Sequence, residues 1–283
     1  MSNAARLPEP AEAGGSRNVA RQPHPAEAGG RNAFFLHQLR FDILSIRRNR
    51  RAQFFILLLP LLLLVTFAGL FGTAAVEVAG QDVPANRASV PGIMGLAVLT
   101  SSFMALVLTV VSQREAGILK RRRATPVPAA VLVLSRAVTA TLSSVAACGL
   151  MVAVASAAFD IKPPPGGLGP AMLAVVTGSL CFACCGYAIA AVVTNADSAQ
   201  PILQVVLLPL QMISGVYFPM SQLPAWLQHV ADAFPLAHLT DALQHAWLPS
   251  GATVAWGDLG IMALWAVAAA FIAARRFKWL PAG

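Results

Sequence analysis

The chain has 283 residues, 57% of them hydrophobic and 11% charged, with a formal net charge of +8 and a mean hydropathy of +0.67. So few charges cannot solubilise a globule of this length, and the composition places the chain in a bilayer. The pI of about 10.2 reflects Lys and Arg gathered on one side of the apolar segments, which leaves no need for a nucleic-acid partner.

Residues 1–32 hold PAEAGG twice, at Pro10 to Gly15 and Pro25 to Gly30, in a Pro, Gly, Ala and Glu background that cannot bury a core. This tail is predicted to be disordered. It does not read as a signal peptide, because no apolar h-region follows a basic start. Over residues 33–53, Phe35, Leu39, Ile43 and Ile46 recur at helical spacing among His37, Arg40, Arg47, Arg48, Arg50 and Arg51. That pattern predicts an amphipathic interfacial helix leading into the membrane, either a basic anchor or a partner contact.

Residues 54–283 are predicted to form an all-α integral membrane domain. A helical span needs roughly 20 mostly apolar residues, and six stretches qualify, at about 54–74, 93–112, 129–158, 171–193, 201–218 and 259–274. Leu, Ala and Val dominate them, and the alternation of a membrane barrel is missing. Of the 20 Lys and Arg residues, 18 fall before the first span, in the second connection, just inside the third span or after the sixth; only Arg87 and Lys162 lie opposite. The N- and C-termini and the second connection are therefore expected in the cytoplasm.

That second connection reads QREAGILKRRRATPVP, Gln113 to Pro128. Glu115 near the start and Lys120 to Arg123 near the end of a short helix would complement its macrodipole. Thr125 followed by Pro126 reads as an N-cap and first helical position, so the third span restarts sharply. No GxxxxGK[ST] phosphate loop occurs, and the Gly-rich Pro163 to Pro170 follows no strand. None of the six spans carries Asp, Glu, Lys or His in its middle, so an ion-driven path is not expected. Arg136 can snorkel to the cytoplasmic surface.

Polar groups on the second span, Ser102 and Thr109 in line with Gln113, and on the fifth, Gln200, Gln204 and Gln211 with Ser214 nearby, mark a candidate translocation path or interhelical hydrogen-bond glue. Pro209 would kink the fifth span. No aromatic stripe stands out along this path. Some 40 residues rich in Pro and aromatics separate Phe218 from the last span. Two outer re-entrant half-helices are predicted there, with Leu223, Trp226, Leu227 and Val230 along one side and Trp226, Trp247 and Trp256 at interfacial depth. Pro219, Leu223, Pro224, Trp226 and Leu227 form a candidate outer gate. The CFACC run, Cys181 to Cys185, contains a CxxC but no second ligand pair, so packing explains it better than metal or redox chemistry.

Two stretches resemble the membrane subunit of a type-2 ABC exporter, the permease family of many bacterial drug, antibiotic and polysaccharide exporters. One is QREAGILKRRRATPVP. The other is SGVYFPMSQLPAWLQHVADAFPLAHLTDAL, matched at Ser214, Gly215, Phe218, Pro219, Leu223, Pro224, Trp226, Leu227 and Pro235. The resemblance covers the chain from about Ala33 onward. It departs at Gln244, where many relatives carry an arginine whose role is not transferable.

The resemblance implies a cytoplasmic coupling helix over 113–126, with Arg114, Glu115, Gly117, Leu119, Thr125 and Pro126 facing a separate ABC ATPase subunit in two copies. It implies no cofactor in this chain, with ATP and Mg on the partner, and a second permease subunit that makes a homodimer. It also implies a multi-pass location in the bacterial cytoplasmic membrane. The expected function is ATP-driven export of amphipathic or hydrophobic small molecules, as in drug or antibiotic efflux. Lipid or polysaccharide export by the same family is the alternative. A reading of another class is a membrane enzyme using His229, Asp232 and His238, with Asp241, at the outer surface.

Overall fold

The computed structural model describes residues 39–40, 50–78, 80–117, 129–193, 195–218, 220–247 and 252–276. The apolar runs fold as helices. They are α1 (Arg50–Phe71), α2 (Ala85–Glu115), α3 (Ala129–Phe159), α4 (Leu168–Val192), α5 (Ala196–Ile213), α6 (Ala225–Ala231), α7 (Pro235–Trp247) and α8 (Trp256–Arg276). The predicted tail and most of the predicted interfacial helix lie outside the described residues.

Among the described residues, α2, α3, α4 and α8 are long and apolar enough to cross a membrane, and α1 adds a shorter apolar stretch, Ile56–Phe71. The fold is that of a helical, multi-pass membrane protein. α5 has 18 residues, about 27 Å at the helical rise, but Asp197, Gln200, Gln204 and Gln211 dilute its apolar character.

Helix ends and the first connection differ in places from the hydropathy reading. The second helix begins at Ala85, eight residues before the apolar run at Ile93, because its first free amides find partners: Ala85 N donates to Ala74 O at 2.8 Å and Asn86 N to Gly72 O at 3.0 Å. The fifth ends at Ile213, short of Phe218. The first connection is no plain loop. β1 (Ala75–Val78) and β2 (Gln81–Pro84) pair antiparallel, with Ala75 opposite Pro84 and Val78 opposite Gln81.

α2 lies at the centre, packed by α1, α3, α4 and α7, while α4 runs along α8. It is α-helical over Ala85–Val98, π-helical over Leu99–Met104 and α-helical again over Ala105–Glu115. Close approach is built in at Gly92, where a Cβ would lie 2.7 Å from the Gly215 carbonyl oxygen and closer still to that of Val216. Only glycine lets α2 touch the loop after α5 in this way. Ser101 Oγ and Ser144 Oγ, 2.7 Å apart, join α2 to α3, and Ser179 Oγ donates to Thr141 Oγ1 at 3.0 Å between α4 and α3. Outward faces are apolar: Val205 and Val206 on α5 and Leu264 and Val267 on α8 are all more than 60% exposed, as surfaces meeting lipid or another chain are.

Candidate functional site

The charged segment begins at the last turn of α2, and three consecutive side chains there each reach a different helix. Gln113 Oε1 accepts from Arg136 Nη2 of α3. Arg114 is 4% exposed; its Nη1 donates to Ala190 O of α4 at 2.9 Å and its Nη2 to Val193 O. These carbonyls belong to the α4 C-terminus, where helical partners run out and the macrodipole favours a cation. Glu115 Oε1 accepts from Ala196 N, the first amide of α5, at 2.7 Å. Asn195 caps the same end, its Oδ1 accepting from Asp197 N at 3.1 Å.

α2 stops here for a local reason. Gly117 has φ +66°, its N–H donates to Arg114 O at 3.1 Å, and Ala116 N donates to Ser112 O at 3.0 Å. A left-handed glycine just past the helix is the usual C-terminal stop.

One sequence expectation changes. Glu115 ends α2 instead of opening a short helix, and the macrodipole it complements is that of α5. Arg136 adds its bond to Gln113. Leu119, Thr125 and Pro126 lie outside the described residues.

The candidate path residues do not converge. Ser102 is buried, its Oγ donating back to Val98 O at 2.5 Å. Thr109 is exposed and back-bonded to Ala105 O at 2.6 Å. Gln204 is exposed, and Gln211 Oε1 accepts from Tyr217 O–H at 3.1 Å. Ser214 is buried; its carbonyl accepts from Thr240 Oγ1 at 2.5 Å, while its hydroxyl has no partner among the described residues.

At the hairpin end, the predicted pair of short helices is present as α6 and α7. Pro224 precedes the first residue of α6. Trp226 is 67% exposed, Pro224 is exposed, and Leu223 and Leu227 are half-buried. Pro219 lies outside the described residues. α7 is no surface lid: ten of its 13 residues are buried. Trp247 is among them, at 3% exposure, so its ring meets protein. Trp256 does lie exposed, at 71%.

His238 fastens α7. Its Nδ1 lies 2.8 Å from Asp258 Oδ1 in the first turn of α8, and its Nε2 lies 2.9 Å from Asp232 O. Both neighbours accept, so the ring satisfies both only as the cation with two N–H groups. The Asp258 carboxylate holds the imidazole pKa above its ordinary value, against the opposing effect of burial. Asp241, on the next turn of α7, is pushed up to about 6, first by burial and then by the Asp258 charge. His229 and Asp232 are exposed and have not joined His238 in an acid–base group.

Beside this end a pocket of about 220 Å³ is lined by Phe67 and Phe71 of α1, Ser89 of α2, Tyr217 and Phe218 after α5, and Gln244 of α7, among others. The Phe67 ring lies 5.1 Å from that of Phe71 and stacks at 6.1 Å on Tyr217. The sequence reading missed it. Phe67 and Phe71 do share one helix face, but their partners are some 150 residues away.

A family model described as ABC-2 type transporter matches residues 35–248. The chain is 23% identical over 171 residues to "Probable multidrug ABC transporter permease YbhR" of Escherichia coli K12, a match covering 60% of this chain and 46% of that relative. The protein of that name from Escherichia coli O157:H7 matches to the same extent. "Nodulation protein J" of Bradyrhizobium diazoefficiens is 36% identical over 73 residues, covering 26% of this chain and 28% of its own length. The chain thus spans about half the length of the first two.

Proposed function

The chain belongs to the ABC-2 type transporter family, and from that premise we propose that it is the membrane subunit of an ATP-driven exporter of amphipathic or hydrophobic small molecules. The family match carries the exporter reading. On it, α1 to α5 and α8 are the six spans. The end of α2 at Gln113 to Gly117 is cytoplasmic, as the distribution of Lys and Arg supports, and the hairpin, α6 and α7 are on the outer side. This chain has no phosphate loop. ATP and Mg²⁺ are bound by a separate ATPase, and the segment from Gln113 to Pro126 couples to it. Two permeases and two ATPases make the complex, with cargo passing between the permeases in the bacterial cytoplasmic membrane.

The pocket at Phe67, Phe71, Tyr217 and Phe218 supports the cargo class. Its rings suit the apolar, ring-bearing part of a molecule, and Ser89, Gln222 and Gln244 supply uncharged hydrogen-bonding groups. Aromatic faces also suit sugar rings, so a lipid-linked saccharide is the second reading. The enzyme reading has no support from the site, because both nitrogens of His238 are committed to structural acceptors.

The test is to purify the tagged chain from its native host, identify the co-purifying ATPase, and measure ATP hydrolysis in lipid nanodiscs. Rhodamine 6G and undecaprenyl-linked saccharide represent the two cargo classes. Stimulation by the dye, lost in Phe67→Ala, supports the small-molecule reading; stimulation by the saccharide alone supports the second. A preparation that retains no ATPase sinks the exporter reading.

A further inference from the structure

The segment at the end of α2 carries two adjacent opposite charges, and each is spent inside the chain. The Arg114 guanidinium is buried, with both terminal nitrogens on carbonyls at the end of α4. Glu115 holds the first amide of α5. The cation therefore sits on a helix C-terminus and the anion on a helix N-terminus, each against the complementary end of a macrodipole. Together they grip both sides of the short junction between α4 and α5. Gln113 adds a third tie, to Arg136 of α3.

We propose that Arg114 and Glu115 are a clasp that positions α5 from the end of α2, so that movement of the charged segment beyond Gly117 is passed to the α4–α5 junction. The clasp deepens the exporter reading and rests on it for the source of movement. It replaces docking by these two side chains with transmission through them. A buried guanidinium bonded to two carbonyls has no face left for a partner. α5 is the element best placed to respond: among the described residues, apart from α2, it touches only α6 and α7 to any extent. The held helix also carries Gln204, Gln211 and, at its end, Ser214.

Hydrogen exchange read by mass spectrometry tests the clasp on peptides spanning residues 190–204. In the isolated permease, Glu115→Ala should speed exchange there about tenfold, as expected for losing a charge-assisted hydrogen bond. Glu115→Gln keeps an acceptor oxygen and should restore much of the protection. Ala196→Pro removes the donor from the other side. Proline is tolerated at a first helical position, and Asn195 already has the extended backbone that proline requires before it. In the complex with its ATPase, ATP plus vanadate should change exchange in 190–204 for the wild type and Glu115→Gln but not for Glu115→Ala or Ala196→Pro, while all four retain the ATPase.

Loss of the ATPase from Glu115→Ala would return Glu115 to docking and overturn the clasp. So would a nucleotide response in 190–204 that survives both Glu115→Ala and Ala196→Pro. If the wild type retains no ATPase, the exporter reading fails instead. The isolated permease then decides the clasp: unchanged exchange in Glu115→Ala overturns it, and acceleration upholds it.

Discussion

The two ends of the helical body are fastened by different chemistry. At the end of α2, a guanidinium and a carboxylate hold backbone groups at helix termini, and a guanidinium keeps its charge at any working pH. At the hairpin end, α7 is tied to α8 and to the turn before it through the imidazole of His238, which holds both ties only while protonated. The second joint therefore depends on pH near neutrality.

Five variants would break or sharpen the contrast. The largest effect is expected from Arg114→Ala, which strands the buried carbonyls of Ala190 and Val193. About 3 kcal/mol of stability should be lost, as a drop in melting temperature in detergent that is equal at pH 6 and pH 8. A pH-dependent drop would erase the distinction between the ends. Gly117→Val forces a β-branched residue into the left-handed region and should cost about 1–2 kcal/mol, again without pH dependence, in the same melting assay.

At the other end the pH dependence is the signal. The His238 pKa is raised in the folded state above 6.5, so its stabilisation is fully present below that value and is lost as pH rises through the folded-state pKa. Asp241 is raised from 3.8 to about 6, so its ionisation penalises the folded state increasingly across that window. Both terms make the wild type lose stability as pH rises. His238→Gln should flatten the melting curve above pH 6.5 and Asp241→Asn should flatten it between pH 4 and 6; an unchanged slope in either variant removes that group from the account. The smallest effect is Tyr217→Phe, which deletes the half-buried bond to Gln211 at a cost of about 0.5–1 kcal/mol, measurable by thermal shift with no change in the pH profile.

The helices were legible because apolar runs of sufficient length have little choice in a bilayer. The special status of Gln113 to Pro128 was legible too, as charge bounded by apolar sequence. Its internal wiring was not. The partner of Glu115 is an amide 81 residues away, and nothing local distinguishes a carboxylate that will cap a distant helix from one that will face solvent. The enclosure of Trp247 was hidden for a related reason: a tryptophan near Pro and Gly reads as an interfacial anchor, and the packing of α7 among α2, α4 and α8 is set by the tertiary fold. The hairpin could have been found, since Val76, Val78 and Val83 flank Gly80 in a short alternating pattern. The aromatic pocket could not, because its rings come from α1 and from the loop after α5 and meet only through the tertiary fold.

The wide turn over Leu99–Met104 has a consequence for reading α2 as a ruler. In an α-helix each residue advances the azimuth by about 100°, so a residue accommodated in a π-bulge shifts the phase of everything beyond it by about that angle. Counting sevens from Ser102 to Thr109 therefore crosses a change of phase, and the two side chains face different surroundings, one enclosed and the other open. The same offset sets the compass bearing at which the last turn presents Arg114 inward, so the aim of that end is fixed three turns earlier, in the middle of the helix.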